Sequence, residues 1–132
     1  MKDDDEYRKL ASRYSVAYMN NAKWVRLFTA AARSGVVIER ARWATIGTDH
    51  TFWEAIPRES DLLPTRFQDG RFQPFEYKWI HSIHVPREYR PIADVGYTRK
   101  QDVDALKAAI DAVGVFQIEL TDEGLTIFGY GP

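Results

Sequence analysis

Residues 36–57 read VVIERARWATIGTDHTFWEAIP, and we predict that they form the first pair of strands in the fold. Residues 36–46 alternate in part between apolar and polar side chains, a pattern that is typical of a strand with one buried face. Gly47-Thr48-Asp49 forms a turn, and a second strand covers residues 50–56 before Pro57 ends it. The stretch therefore predicts a β-hairpin.

A three-residue turn determines which residues of the two strands face each other. Pairing the residues next to the turn places an aromatic pair beside an ion pair, and both kinds of cross-strand contact stabilise a hairpin. The predicted pairs are Ile46 with His50, Trp43 with Trp53, and Arg42 with Glu54.

Two helices are predicted before the hairpin. The first covers residues 4–18, where the acidic residues at its start favour a helix N-terminus. The second is capped by Asn20 or Asn21 and runs to Arg33. Its apolar residues recur at the three-to-four spacing of one buried stripe, formed by Trp24, Leu27, Phe28 and Ala31. Together the two predict an N-terminal helical hairpin with a basic outer surface.

A third strand is predicted over residues 75–85 because apolar and polar residues alternate there. One face is assigned Phe75, Tyr77, Trp79, His81, Ile83 and Val85, and the other Glu76, Lys78, Ile80, Ser82 and His84. Thr98 and Gln101 fit a capping box at the start of the third helix. The buried stripe of that helix is Val103, Leu106, Ile110 and Val113.

Strands over residues 115–120 and 125–130 complete the element order α-α-β-β-β-α-β-β. Hairpins and short connections predict an α+β fold, in which a mainly antiparallel sheet of about five strands has its helices on one face. With 132 residues, of which 45% are hydrophobic, we expect a single domain that spans residues 1–132.

Composition also excludes several classes of protein. The chain has no cysteine, which excludes disulfides and thiolate chemistry. Its acidic start lacks the apolar run of a signal peptide, and no stretch approaches the roughly 20 apolar residues of a membrane span. We therefore expect a cytoplasmic protein with no membrane partner.

Candidate catalytic and metal-binding residues are few. His81 and His84 point to opposite faces of a regular strand, so they do not share a metal ion. His50 and Glu54 share a strand face and provide an acid–base pair, but no motif places a nucleophile beside them. No phosphate-binding loop or zinc-ligand spacing occurs, so we expect no enzyme, no metal and no cofactor. A small hydrolase or transferase using His50 and Glu54 is the third hypothesis.

Charge is distributed unevenly, although the formal net charge is −1. Residues 7–34 contain six basic and no acidic residues, whereas residues 99–132 contain three basic and six acidic residues. A basic surface on the helical hairpin can bind phosphates. This gives a second hypothesis, a nucleic-acid-associated or regulatory protein.

Aromatic residues make up 14% of the chain, and twelve arginines stand against six lysines. Arginine, tryptophan and tyrosine are enriched at the hot spots of protein interfaces. Residues 57–74 and 87–97 are long irregular segments of the kind that carry function. The candidate partner-binding residues are Asp49, His50, Trp53, Glu54, Arg66, Phe67, Arg71, Arg87, Tyr89 and Arg90.

Residues 18–28, YMNNAKWVRLF, resemble the opening motif of a family of small, uncharacterised bacterial proteins in which Met-Asn-Asn-x-Lys-Trp begins a helix. Residues 77–83, YKWIHSI, and 128–130, FGY, are similar to later parts of that family, with His81 at a position where we expect an acidic residue. The family is a domain of unknown function, so the resemblance implies a small cytoplasmic domain and no catalytic residues. Such proteins are similar in kind to the immunity proteins that bacteria pair with secreted toxins. The leading prediction is therefore a non-enzymatic protein-binding module, an immunity-type inhibitor that binds and occludes a cognate bacterial toxin.

Overall fold

A computed structural model describes residues 2–68, 75–91 and 96–132 of the chain. The helices of this part are α1 (Lys2–Ala11), α2 (Asn21–Arg33) and α3 (Val103–Asp111), with 3-10 turns at Glu59–Asp61 and Tyr77–Trp79. The strands are β1 (Ala41–Thr45), β2 (Thr51–Glu54), β3 (Arg66–Phe67), β4 (Phe75–Glu76), β5 (Ile80–Pro86), β6 (Glu88–Tyr89), β7 (Arg99–Lys100), β8 (Ile118–Leu120) and β9 (Gly124–Phe128).

Five strands form one antiparallel sheet in the order β2-β1-β5-β9-β8. The strands β3 and β4 form a separate two-stranded ribbon, and β6 and β7 form another. The predicted α+β class, the five-stranded antiparallel sheet and the order of helices and strands are confirmed.

The core lies between one face of this sheet and the helices α2 and α3. Trp43, Ile83 and Ile127 lie side by side in β1, β5 and β9 and are buried. The predicted stripe of α2 packs against them, and its members Trp24, Leu27, Phe28 and Ala31 are all buried. The helix begins as predicted, because Asn20 Oδ1 accepts a hydrogen bond of 2.8 Å from the backbone N–H of Lys23.

The predicted register of the β1–β2 hairpin is wrong by one residue. Trp43 faces Phe52 and Arg42 faces Trp53, so Trp43 and Trp53 lie on opposite faces of the sheet. The observed register stacks the rings of Trp43 and Phe52 with a centroid distance of 6.0 Å inside the core. In this register Phe52 lies beside Trp43 on the core side and also contacts the ring of Phe75, whereas the predicted register would place Trp53 there instead.

The third predicted strand is interrupted, and its assignment of faces is correct for Ile83 and Val85, which are buried together, but wrong for Ile80. Residues 77–79 form a 3-10 turn, and Ile80 and Ile83 are both buried although they are three apart. A bulge in the pairing of β1 with β5 explains this, because the register shifts around His81 and leaves that residue without a partner in β1. The bulge removes the regular alternation on which the opposite-face placement of His81 and His84 depends.

The ends of two helices also differ from the prediction. The helix α1 ends at Ala11 rather than at residue 18, because residues 15–18 pair with residues 129–132 instead. The cap of α3 is Asp102, whose side chain accepts a hydrogen bond from the N–H of Ala105. Thr98 and Gln101 therefore form no capping box, and Val113 lies beyond the helix and is exposed.

The two segments predicted as irregular contain short ordered elements. The strand β3 lies in the first segment, and the aromatic ring of Phe67 packs against Trp43 at a centroid distance of 5.5 Å. The strand β6 lies in the second. Residues 69–74 and 92–95 of these segments fall outside the described residues. No helix in the described part of the chain has the length and apolar character to cross a membrane.

Candidate functional site

The sheet face opposite α2 and α3 carries one row of side chains across all five strands. We call this row the outer face; it consists of Trp53, Arg42, His84, Thr126 and Glu119. None of the five is buried, whereas the adjacent row on the helix side contains Trp43, Ile83 and Ile127 in the core. The described residues therefore leave this face of the sheet accessible to a partner.

Arg40 lies next to the outer face and contacts two aromatic rings. Its guanidinium carbon Cζ is 5.8 Å from the ring centroid of Trp53 and 5.9 Å from that of Tyr89. Both distances are in the range of cation–π interactions. Trp53 remains 46% exposed, so its indole is available for a further contact.

A carboxylate completes this group. The hydroxyl of Tyr89 donates a hydrogen bond of 2.6 Å to Glu39 Oε2, and Arg99 Nη1 donates one of 3.2 Å to the same oxygen. The hydrogen bond from Tyr89, aided by the charge of Arg99, lowers the pKa of Glu39, while burial raises the pKa of Tyr89. Glu39 is thus ionised and Tyr89 protonated at neutral pH. We call Glu39, Arg40, Trp53, Tyr89 and Arg99 the Arg40 cluster.

The backbone below this cluster is fixed by the buried side chain of Gln101, which is 6% exposed. Its Oε1 accepts hydrogen bonds of 2.9 and 3.0 Å from the N–H groups of Glu39 and Arg40. Its Nε2 donates to the carbonyl oxygens of Arg40 and Pro86, both at 2.9 Å. One side chain therefore joins the segment before β1 to the end of β5, and it binds both the N–H and the carbonyl oxygen of Arg40.

His84 lies in the middle of the outer face. Its Nδ1 is 2.8 Å from the hydroxyl of Thr126, and Arg42 is its cross-strand neighbour in β1. Burial lowers the pKa of His84, the charge of Arg42 lowers it further, and Glu123 opposes them. His84 is therefore a neutral hydrogen-bonding group at neutral pH, and the positive charge on this part of the sheet comes from Arg42.

An apolar groove adjoins the Arg40 cluster at Glu39. It has a volume of about 540 Å³ and runs between the end of α2 and the segment after β2. Its apolar lining includes Ala31, Ala32, Val36, Ile38, Ile56 and Pro57. Glu39 belongs to both features, so the groove and the Arg40 cluster form one continuous surface.

The candidate catalytic pair is not assembled. His50 lies in the turn before β2, and its backbone N–H donates to the hydroxyl of Thr48. Glu54 pairs with Ala41 at the other end of β2, and within the described residues His50 and Glu54 share neither a hydrogen bond nor an ion pair. The same part of the chain contains no group of three or more side chains placed to hold a metal ion.

The structure brings together two of the predicted partner-binding residues and places the others apart from them. Trp53 and Tyr89 come together through Arg40, although their strands belong to different sheets. Asp49, His50, Arg66 and Arg90 are exposed at scattered positions, Glu54 is half-buried in β2, and Arg71 lies outside the described residues.

Arg87 and Phe67 have structural contacts of their own. Arg87 forms a two-pronged ion pair with Asp104 of α3, with hydrogen bonds of 2.8 and 3.2 Å, and it donates to the carbonyl oxygen of Thr121. The ring of Phe67 contacts the core.

Sequence reasoning missed four residues of the site, namely Glu39, Arg40, Arg42 and Arg99. A signal for two of them was present, because Arg40 and Arg42 are two positions apart and so share one side of an extended strand. The wrong hairpin register hid this signal, since it paired Arg42 with Glu54 rather than with Trp53.

The basic residues of the N-terminal helices do not form an unbroken stripe. Arg33 is bound to Glu59, with Nε 2.9 Å from the carboxylate oxygen, and Lys23 Nζ approaches the carbonyl oxygen of Tyr18. The first turn of α1 adds exposed acidic residues, among them Asp4 and Asp5.

Comparisons with known proteins give no further assignment: no protein-family model matches the chain, and no curated protein or solved structure shows significant similarity to it.

Proposed function

We propose that the protein is a non-enzymatic binding module, an immunity-type inhibitor that binds a cognate bacterial toxin in the cytoplasm and occludes it. The observation that carries the proposal is the Arg40 cluster, an exposed tryptophan and a tyrosine held around one arginine on an open sheet face. Tryptophan, tyrosine and arginine are the residues on which interface energy concentrates.

The position of the cluster on a sheet supports this proposal. Trp53 is held in β2, and Arg40 precedes β1 and is tied to the fold by Gln101. A side chain fixed before the partner arrives loses little conformational freedom on binding, and this raises affinity. An inhibitor that must hold a toxin tightly benefits from such preorganisation.

The area of the sheet face determines how much of the partner interface it can form. Five strands about 4.8 Å apart and about 17 Å long give the whole sheet face that contains this row an area of roughly 400 Å². A standard interface buries roughly 800 Å² on each partner. The partner must therefore extend beyond the outer face, and the groove next to Glu39 offers the adjoining apolar surface.

The two other hypotheses have weaker support. Two observations weaken a nucleic-acid-associated role for the basic helices: Arg33 is already bound by Glu59, and the first turn of α1 is acidic. A hydrolase or transferase that uses His50 and Glu54 requires a rearrangement of the β2 hairpin, because the two side chains do not meet.

Co-expression tests the proposal. Each protein encoded beside the gene for this chain is expressed alone and together with it, and host growth is measured. We expect one neighbour to arrest growth alone and to be neutralised by the chain, with a dissociation constant of about 10 nM or below. If no neighbour is toxic, or if none binds more tightly than about 1 μM, the inhibitor proposal is wrong.

A further inference from the structure

We propose that Arg40 and Arg42 form a carboxylate-binding site, which receives Asp or Glu side chains from an acidic segment of the partner protein. The inference rests on the proposed function and specifies the chemistry of the partner. The proposal is based on the positive charges of Arg40 and Arg42, which have no acidic partner among the described residues.

Arg40 is oriented without using its hydrogen-bond donors. Gln101 fixes its backbone, and contacts with Trp53 and Tyr89 limit the positions of its guanidinium. Within the described residues the Arg40 side chain donates no hydrogen bond and forms no ion pair. A planar guanidinium with open N–H groups matches a carboxylate in two-pronged geometry.

Arg42 places a second positive charge beside the first. It lies in β1 between Trp53 of β2 and His84 of β5, and its side chain is exposed. No carboxylate of the described residues lies within ion-pair distance of it. Arg40 and Arg42 are two residues apart along the chain, about 7 Å in an extended segment, so they can act on one acidic segment together.

The surroundings favour a protein carboxylate over a nucleic acid. Glu119 lies at the far end of the outer face, and Glu39 directly precedes Arg40 in the chain and accepts the hydrogen bond of Tyr89. Since Glu39 binds Arg99, the charges of Arg40 and Arg42 are the two that have no acidic partner within the Arg40 cluster and the outer face, whereas duplex DNA carries one negative charge for about every 1.7 Å of its axis. A continuous polyanion would also meet the carboxylates of this surface, whereas one or two carboxylates match these two charges.

The test uses three probes of defined chemistry with the intact chain. The probes are a peptide of alternating Glu and Gly, a matched peptide of alternating Gln and Gly, and oligothymidylate. Binding is followed by NMR through the Nε–H signals of Arg40 and Arg42 and the indole N–H of Trp53. We expect the Glu peptide to shift these three signals with a dissociation constant of about 1 mM, and the Gln peptide to shift none.

Matched variants separate specific recognition from general attraction. Arg40→Lys keeps the charge but loses the planar donor pair, and Arg42→Gln removes a charge; each is expected to weaken Glu-peptide binding about fivefold to tenfold. Arg13→Gln removes one exposed charge from the segment after α1 and should leave the affinity unchanged.

Three outcomes contradict the proposal: no shift by the Glu peptide at about 10 mM, an equal response to the Gln peptide, or tighter binding of oligothymidylate than of the Glu peptide. An equal loss in Arg13→Gln also contradicts it. If a toxin partner binds and depends on Trp53 but tolerates Arg40→Lys and Arg42→Gln, only this inference fails. If the Glu peptide binds as expected but no toxin partner exists, the proposed function alone fails.

Discussion

The Trp43→Ala variant is expected to lose about 4 kcal/mol of unfolding free energy, whereas Trp53→Ala is expected to lose less than about 1 kcal/mol. The two residues come from one hairpin and differ in the face they occupy. Trp43 is 1% exposed and contacts four aromatic rings from other elements, those of Phe28, Phe52, Phe67 and Phe75. Its removal leaves a cavity that rigid neighbours cannot fill, while Trp53 leaves only surface contacts behind.

Urea unfolding followed by far-ultraviolet circular dichroism measures both losses on the same scale. This signal does not depend on the tryptophan that each variant removes. Equal losses in the two variants would contradict the observed register of β1 and β2, because both tryptophans would then belong to the core.

Replacing Gln101 with leucine is expected to lower the free energy of unfolding by about 3 kcal/mol, because buried backbone groups lose their hydrogen-bond partner. Leucine has similar volume but satisfies none of the four backbone groups that the amide binds, two N–H groups and two carbonyl oxygens. Each buried polar group left without a partner costs about 1–3 kcal/mol, and solvent entry at the edge of the sheet recovers part of this.

Gln117→Leu provides the matched control for Gln101→Leu. Gln117 is exposed and contributes its backbone carbonyl to Phe128, so the same substitution there is expected to change stability by less than about 0.5 kcal/mol. Thermal and urea unfolding of the two variants check the difference. A loss below about 1 kcal/mol in Gln101→Leu would show that water replaces the amide, and it would remove the anchoring role assigned to Gln101.

The features that were predicted well depend on local sequence. The sequence predicts α2 with Asn20 or Asn21 as its cap and with its whole buried stripe, and Asn20 is the observed cap, because capping and three-to-four periodicity are properties of neighbouring residues. The five strands were found in order for the same reason. Turn residues and prolines mark where each strand stops, whichever elements pack against it.

The wrong predictions concern features that depend on contacts between segments far apart in the sequence. Hairpin pairing in either register satisfies the turn, and the core selects the one that places Trp43 and Phe52 on the same side. Residues 15–18 pair with residues 129–132, so α1 ends earlier than predicted. The sequence around residues 11–18 contains no local feature that predicts this pairing. The local sequence predicts Gln101 as a capping residue, whereas two of the backbone groups that its side chain binds lie 61 and 62 positions away in sequence.

The candidate site was predicted in part for the same physical reason. Exposed aromatic residues such as Trp53 and Tyr89 are recognisable by type, since tryptophan and tyrosine are enriched at interfaces. The contact that unites them runs through Arg40, and it depends on the register of β1 with β2 and on the ribbon of β6 and β7. Those pairings are long-range, so residue type alone does not reveal them.

The proposal that the Arg40 cluster is the binding surface is tested most directly by the affinity of Trp53→Ala for the proposed toxin partner. Val115→Ala is the control, because Val115 is 91% exposed and lies between α3 and β8, outside the cluster. Isothermal titration should show that Trp53→Ala binds at least about 30-fold more weakly than the unchanged protein, which corresponds to a hot spot of about 2 kcal/mol. Val115→Ala should bind as tightly as the unchanged protein. If Trp53→Ala binds the partner as tightly as the unchanged protein, the surface has been assigned to the wrong face of the molecule.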